Sequence, residues 1–447
     1  MSIYPSSQNA VVVLVLGALW GVPAWAYLPG IPRIVNVREA PYSTVADGIA
    51  DDGPALQEAL DDVGATGGGQ VFLPAGTYRV AKHLTVPSNT ALVGIFRGPN
   101  KSVRDAIPYP LPAGTVLLAE EGANASGFPA FITITGYNTT VEGLAVFYPN
   151  QVTTDPPIAY PYTIALGPWK DEFPQTFGAE NATILNVGLL NSYRGIDLSN
   201  PSARHYVKGV YGQPLLRGIL VDQTWDMGRI EDVHFNFNWS QTAGTVAFQL
   251  REGVAFEFRR NDGEFVNNVF VHGYNVGMRF RTTLGLSGSG EGTTAQMSNI
   301  YLEECSIGLD VHDTQLHGIV FTNFAYATTA VPDTRIGVWG RAGKDGHLHL
   351  NGARFWGPME RAILWDQPAG TLTVSSAQVL DWSADKPAIQ IRAGKAMIQE
   401  VMFLPQAVAK VAIRNDSPAP VIVSGNMLNG STLKMLGAQQ LATANLP

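Results

Sequence analysis

Charged residues fall at matching places in a degenerate repeat, and any chemistry this chain does would start from them. The stretches 182–198, 205–221, 264–280 and 296–311 each read as strand, turn, strand. They align on Gly195, Gly218, Gly277 and Gly308, and the first step is 23 residues. Alternate residues of a strand point to opposite sides. Ile196, Ile219, Met278 and Leu309 are the inward set, with Phe256 of 253–260 as their counterpart. One outward column then reads Asp197, Leu220, Glu257, Arg279, Asp310, and a second, two residues on, reads Ser199, Asp222, Arg259, Arg281, His312. At the ~4.8 Å spacing of stacked strands, Glu257 and Asp310 are predicted to lie about 9 to 10 Å apart. That is near the upper limit of ~9.5 Å for two carboxyl groups that flank a glycosidic bond and leave room for a water.

Hydrolysis of that kind needs one carboxyl kept protonated as general acid and one ionised to activate water, and mutual proximity drives their pKa values apart. Glu257, Asp310, Asp222 and Asp226 are therefore the candidate catalytic residues. Arg259, Arg279, Arg281 and His312 are candidate substrate contacts. Trp225 and Trp239 beside the acids offer flat faces for sugar rings, and His205 is a further candidate contact. The same arginines suit a second chemistry, removal of the proton beside a uronate carboxylate with β-elimination. In a third reading the charges only neutralise a solenoid face, and the protein binds glycan or serves as structure without catalysis. No zinc or calcium ligand spacing stands out, and no cofactor is implied.

These columns need a scaffold that stacks distant segments, and residues 47 to 80 point to one. Ala55, Leu56, Ala59, Leu60 and Val63 recur at helical spacing after Asp51 and Asp52, and Gly64 ends the run. Gly67-Gly68-Gly69, the strand run Val71-Phe72-Leu73, the turn Pro74-Ala75-Gly76 and a second strand Tyr78-Arg79-Val80 follow. This stretch resembles the N-terminal coil of the pectate lyase superfamily, which includes the polygalacturonase-like glycoside hydrolases. The resemblance implies an all-β, single-stranded right-handed parallel β-helix with an N-terminal capping helix, and a sugar-active role. The polygalacturonase segments Asn-Thr-Asp, Asp-Asp, Gly-His-Gly and Arg-Ile-Lys are not found as a set at successive coils. Asp51-Asp52 lies in the capping region and Val271-His272-Gly273 lacks the first glycine. No residue roles carry over from that enzyme group.

Length and composition agree with a solenoid, which escapes the usual domain size limit because each coil touches only its neighbours. The 447 residues include 47 glycines, and 15% of residues are charged, which suits an all-β chain with many turns. A net charge of −8 argues against nucleic acid and calls for locally gathered basic residues if the glycan is acidic. The expected partner is a polysaccharide or oligosaccharide, and side-by-side association of copies is open. Residues 1 to 26 read as a signal peptide, with an apolar run from Ala10 to Val22 and a small-x-small site at Ala24-Trp25-Ala26. Residues 27–440 then form the β-helix domain of a secreted protein, 441–447 form a loose tail, and no membrane association is expected after cleavage. Cys305 stands alone, so no intramolecular disulfide is possible. The segments 96–115, 149–180 and 238–252 break the pattern and are expected to be loops rising from one flank.

Overall fold

The computed structural model describes residues 33–99, 103–125, 127, 129–167, 179–283, 292–329, 334–406 and 410–446. The expected signal peptide and the Pro168-Trp169 part of the second loop lie outside these. The chain winds into a parallel β-helix with three long faces. One coil shows how: Thr183–Leu189 bends at Asn186 to lie on faces one and two, and Arg194–Leu198 forms face three. Each strand pairs in parallel with its equivalents one coil before and after, as Thr183–Leu189 does with Tyr206–Gly212. The bend between faces one and two requires a left-handed backbone. Asn186, Asp232, Asn268, Asn299 and Asn323 supply it at φ 52° to 58°, and Gly209 at 69°. Side-chain amides also link coils there, from Asn268 to Asp232 at 3.1 Å and from Asn323 to Asn299 at 2.7 Å.

Face three is built from Arg194–Leu198, Arg217–Val221, Val254–Phe258, Val276–Phe280, Ile307–Val311 and Ile336–Gly340. Ile196, Ile219, Phe256, Met278 and Leu309 are paired in that order, and all are fully buried. The inward column expected from the sequence is therefore the observed one. The aligned glycines have a packing reason: a Cβ on Gly218 would stand 2.3 Å from the Ala255 carbonyl oxygen and 2.5 Å from the Phe235 ring. Phenylalanines stack within the core across coils, with Phe258 and Phe280 5.4 Å apart. Cys305 is buried and free, its thiol pushed up to about 12 by burial.

Helix α1, Gly53–Ala65, follows Asp52 and buries Leu56, Ala59, Leu60 and Val63 against first-coil strands of all three faces. The carboxylate of Asp52 accepts from the backbone N–H groups of Val45 and Ala46 at 2.7 and 2.9 Å, tying the entry loop down. Two expectations change. Segment 238–252 contains a second helix, α2, Ala243–Glu252, whose N-cap Thr242 accepts from the Thr245 N–H. The final residues, expected as a loose tail, include a strand, Gln440–Thr443, paired with Val421–Ser424. No helix among the described residues is long and apolar enough to cross a membrane.

Candidate active site

Both outward columns are realised on face three. Backbone pairing runs Asp197, Leu220, Glu257, Arg279, Asp310, Trp339 along the first row. Backbone hydrogen bonds then carry Asp222, Arg259, Arg281, His312 and Arg341 along the second, each N–H donating to the carbonyl of the coil before. Glu257 and Asp310 are two rungs apart with Arg279 between them.

These carboxylates are each only 1% exposed, although they face away from the core, because basic side chains cover them. Arg217 and Arg259 clasp Glu257 at 2.9 and 2.6 Å. Arg279, Arg341 and His312 surround Asp310 at 2.9, 2.6 and 3.2 Å. Burial works to raise both carboxyls, but the cations outweigh it. Arg217 and Arg259 bring Glu257 below its ordinary value, while the His312 contact, Arg341 and Arg279 bring Asp310 far below. Both are held ionised, so neither keeps the proton that a hydrolytic general acid must deliver. The other acids of the rows are pushed the opposite way. Burial raises Asp222 despite the Thr283 hydroxyl at 3.1 Å and the nearby Arg259, and it raises Asp197 despite Ser199 and Arg217.

Five guanidinium groups, those of Arg217, Arg259, Arg279, Arg281 and Arg341, thus face two ionised carboxylates. Arg281 is the exception among them. It alone of the five makes no ion pair among the described residues, and its Nε, like that of Arg217, is buried without a hydrogen-bond partner. Burial and the adjoining charge of Arg279 push it down, against the opposing pull of Glu257 and Asp310. Arg341 also lies 3.6 Å over the Trp339 ring. Sequence reasoning missed Arg217 and Arg341. The Arg-Gly pair repeated at Arg194-Gly195 and Arg217-Gly218 was the available signal for the former.

The remaining candidates are dispersed. Asp226 lies past the corner on a short fourth face, 68% exposed, paired with Arg204 at 3.0 Å and away from both rows. Trp225 is partly exposed on that same face, with the Arg260 guanidinium 4.3 Å from its ring. Trp239 is buried with Leu215 and Phe248, so it presents no ring to a sugar. His205 is fully buried and bonded to Glu264 at 2.9 Å. Neither is a surface contact, because residue spacing does not reveal which side chains a corner turns inward.

One flank of face three carries a wall. Helix α2 is joined to loop 149–160 by Arg251 and Asp155 at 2.7 Å and by the Thr242 hydroxyl on the Thr153 carbonyl at 3.0 Å. Asp105 of the 103–111 loop accepts from Ser240 at 2.7 Å. The Phe248 ring of α2 then meets Tyr193 at 6.0 Å, beside Arg194. Two of the expected loops and α2 are thus one fastened unit. Among the described residues no group of three or more His, Cys, Asp or Glu is arranged to hold a metal ion.

Residues 34–103 match the sequence model of a family described as rhamnogalacturonase A/epimerase, pectate lyase-like. This is a parallel β-helix protein whose first coils match a pectate lyase-like family model. Among curated proteins it is 41% identical over 70 residues to a mannuronan C5-epimerase of Azotobacter vinelandii, covering 14% of this chain and 5% of that protein. It is 29% identical over 161 residues to plasmin and fibronectin-binding protein A of Streptococcus pneumoniae, covering 34% of this chain and 20% of the other. The β-helix protein therefore matches only a small part of either relative's length. Among solved structures, a tailspike protein mutant of E. coli bacteriophage HK620 in complex with pentasaccharide aligns with a TM-score of 0.54. That alignment has 10% identity and covers 91% of this chain and 80% of the other. At that identity the likeness speaks for the fold.

Proposed function

We propose that the protein is an exported carbohydrate-active enzyme that binds an acidic polysaccharide along face three and removes the proton beside a uronate carboxylate. The observation that carries this reading is Arg281, a partly buried guanidinium without a carboxylate of its own, set between Arg259 and His312 and beside Arg279. A substrate carboxylate is the partner that such a group lacks, and its neutralisation there acidifies the adjacent C–H. His312, 23% exposed and held by Asp310, is the base within the same row. Glu257 and Asp310 aim the arginines, and Asp222 closes the row beyond Arg259. The resulting carbanion either expels the neighbouring glycosidic oxygen, which is elimination, or regains a proton from the opposite side, which is epimerisation. The identity over 70 residues to a mannuronan C5-epimerase supports this class over hydrolysis. Export rests on the apolar run and the Ala24-Trp25-Ala26 site.

Incubation with uronate polysaccharides in deuterated water tests the proposal. Elimination gives an unsaturated, ultraviolet-absorbing end, and epimerisation gives deuterium at the inverted carbon. A reducing-sugar product with added water and neither signal would return the reading to hydrolysis.

A further inference from the structure

A cleft of about 230 Å³ opens one residue beyond His312, lined by Asp313, Gln315, Leu316, His317, Lys344 and Asp345. It sits on the short fourth face, where Thr314 pairs with Thr293. Its base is fixed. The Gln315 amide donates to the Asn261 carbonyl at 2.8 Å and to Asp262 at 2.9 Å, and its oxygen accepts from the Thr294 hydroxyl at 2.9 Å. Asp313 accepts from the Lys344 N–H at 2.5 Å and from the Thr282 hydroxyl at 3.0 Å. Against this polar frame Leu316 is 80% exposed, a bare aliphatic side chain that nothing in the fold requires at the surface. The charges also differ from those of face three. Asp313 and Asp345 outnumber Lys344, so the cleft offers no net attraction to an anion.

Carboxylate, amide, imidazole and ammonium groups around one aliphatic contact complement a pyranose ring, whose edges hydrogen-bond and whose face is made of C–H groups. We infer that this cleft is an accessory subsite for a neutral sugar residue flanking the acidic unit held by Arg281. The inference rests on the functional reading above for the acidic unit, and it adds that the polymer also carries neutral sugars. Because Asp313 directly follows His312, a chain lying along the second row reaches the cleft by turning one corner.

Calorimetry on the full chain with two oligosaccharides of equal length tests it, one made of uronate only and one with a neutral sugar next to the uronate. Leu316→Ala is expected to weaken the mixed oligosaccharide about fivefold, roughly the worth of one buried aliphatic contact, and to leave the uronate-only ligand unchanged. Lys344→Ala is expected to act on the same ligand in the same direction. Equal effects on both ligands, or none on either, overturn the inference. Arg281→Ala separates the two claims: if it leaves both affinities intact while Leu316→Ala acts selectively, the reading of face three falls and the subsite stands.

Discussion

Two of the histidine–carboxylate pairs of this β-helix lie on different sides of the same wall. His205 and Glu264 meet at 2.9 Å in the interior, both fully buried, in the room left by Gly228, where a Cβ would stand 2.2 Å from the imidazole. His312 and Asp310 meet at 3.2 Å on the outer side, the histidine partly open and the carboxylate under Arg279 and Arg341. The functional groups are alike. What separates them is access and the surrounding charge. Among the described residues no arginine or lysine pairs with the inner carboxylate, and the Nδ1 of His205 and Oε2 of Glu264 have no partner. The outer pair sits where a ligand can reach it, beside a guanidinium with no carboxylate of its own.

The largest effect expected from this contrast is on turnover. His312→Gln should reduce it by about 10²- to 10⁴-fold with only a small fall in the unfolding midpoint, since Arg279 and Arg341 still hold Asp310, whereas His205→Gln should leave the pH profile of turnover unmoved. A pH profile altered by both would erase the distinction. Next is stability. Glu264→Ala strands a buried histidine and should cost about 3 to 5 kcal/mol in denaturant unfolding, with ligand affinity per folded molecule retained. A cost below about 1 kcal/mol would mean that the interior pair is not held as described. Smaller again is the effect of Arg281→Ala, a loss of about 10- to 100-fold in affinity for a uronate oligosaccharide, from one charge-assisted contact of roughly 1.5 to 3 kcal/mol. Arg341→Ala should cost less binding and more stability, because Arg341 already spends its charge on Asp310.

The register of face three was legible because Ile196, Ile219, Met278 and Leu309 follow glycines that the core packing demands, so the two outward columns could be named before any coordinates. The capping segment was legible for a similar reason, since Leu56, Ala59, Leu60 and Val63 can only cover something. Corners were not. Asn186, Asn268, Asn299 and Asn323 turn the chain between faces one and two, yet each looks like an ordinary polar residue in a strand. For the same reason His205 and Trp239 read as surface groups. The charge state of Glu257 and Asp310 was hidden too, because it depends in part on Arg217, off the aligned columns, and on Arg341, one coil beyond the last aligned segment.

The smallest signal expected is also the one that best resolves the outer pair from its neighbours. Asp310 has a folded pKa far below the ordinary carboxylate value of about 3.9, so its ion pairs stabilise the fold above that pH and are lost only when pH falls well beneath it. Asp222 has a raised folded pKa, so its ionised form carries a penalty at neutral pH that is relieved as pH falls through that raised value. Two acids a few rungs apart on one face should therefore give opposite slopes. In denaturant unfolding from pH 7 downward, the stability difference between wild type and Asp310→Asn should stay flat to about pH 4 and shrink only below it. The difference between wild type and Asp222→Asn should instead shift in favour of wild type as acid is added. Parallel slopes would mean that the arginines of face three do not partition between the two acids, and Asp310 would then lose its distinction from an ordinary surface carboxylate.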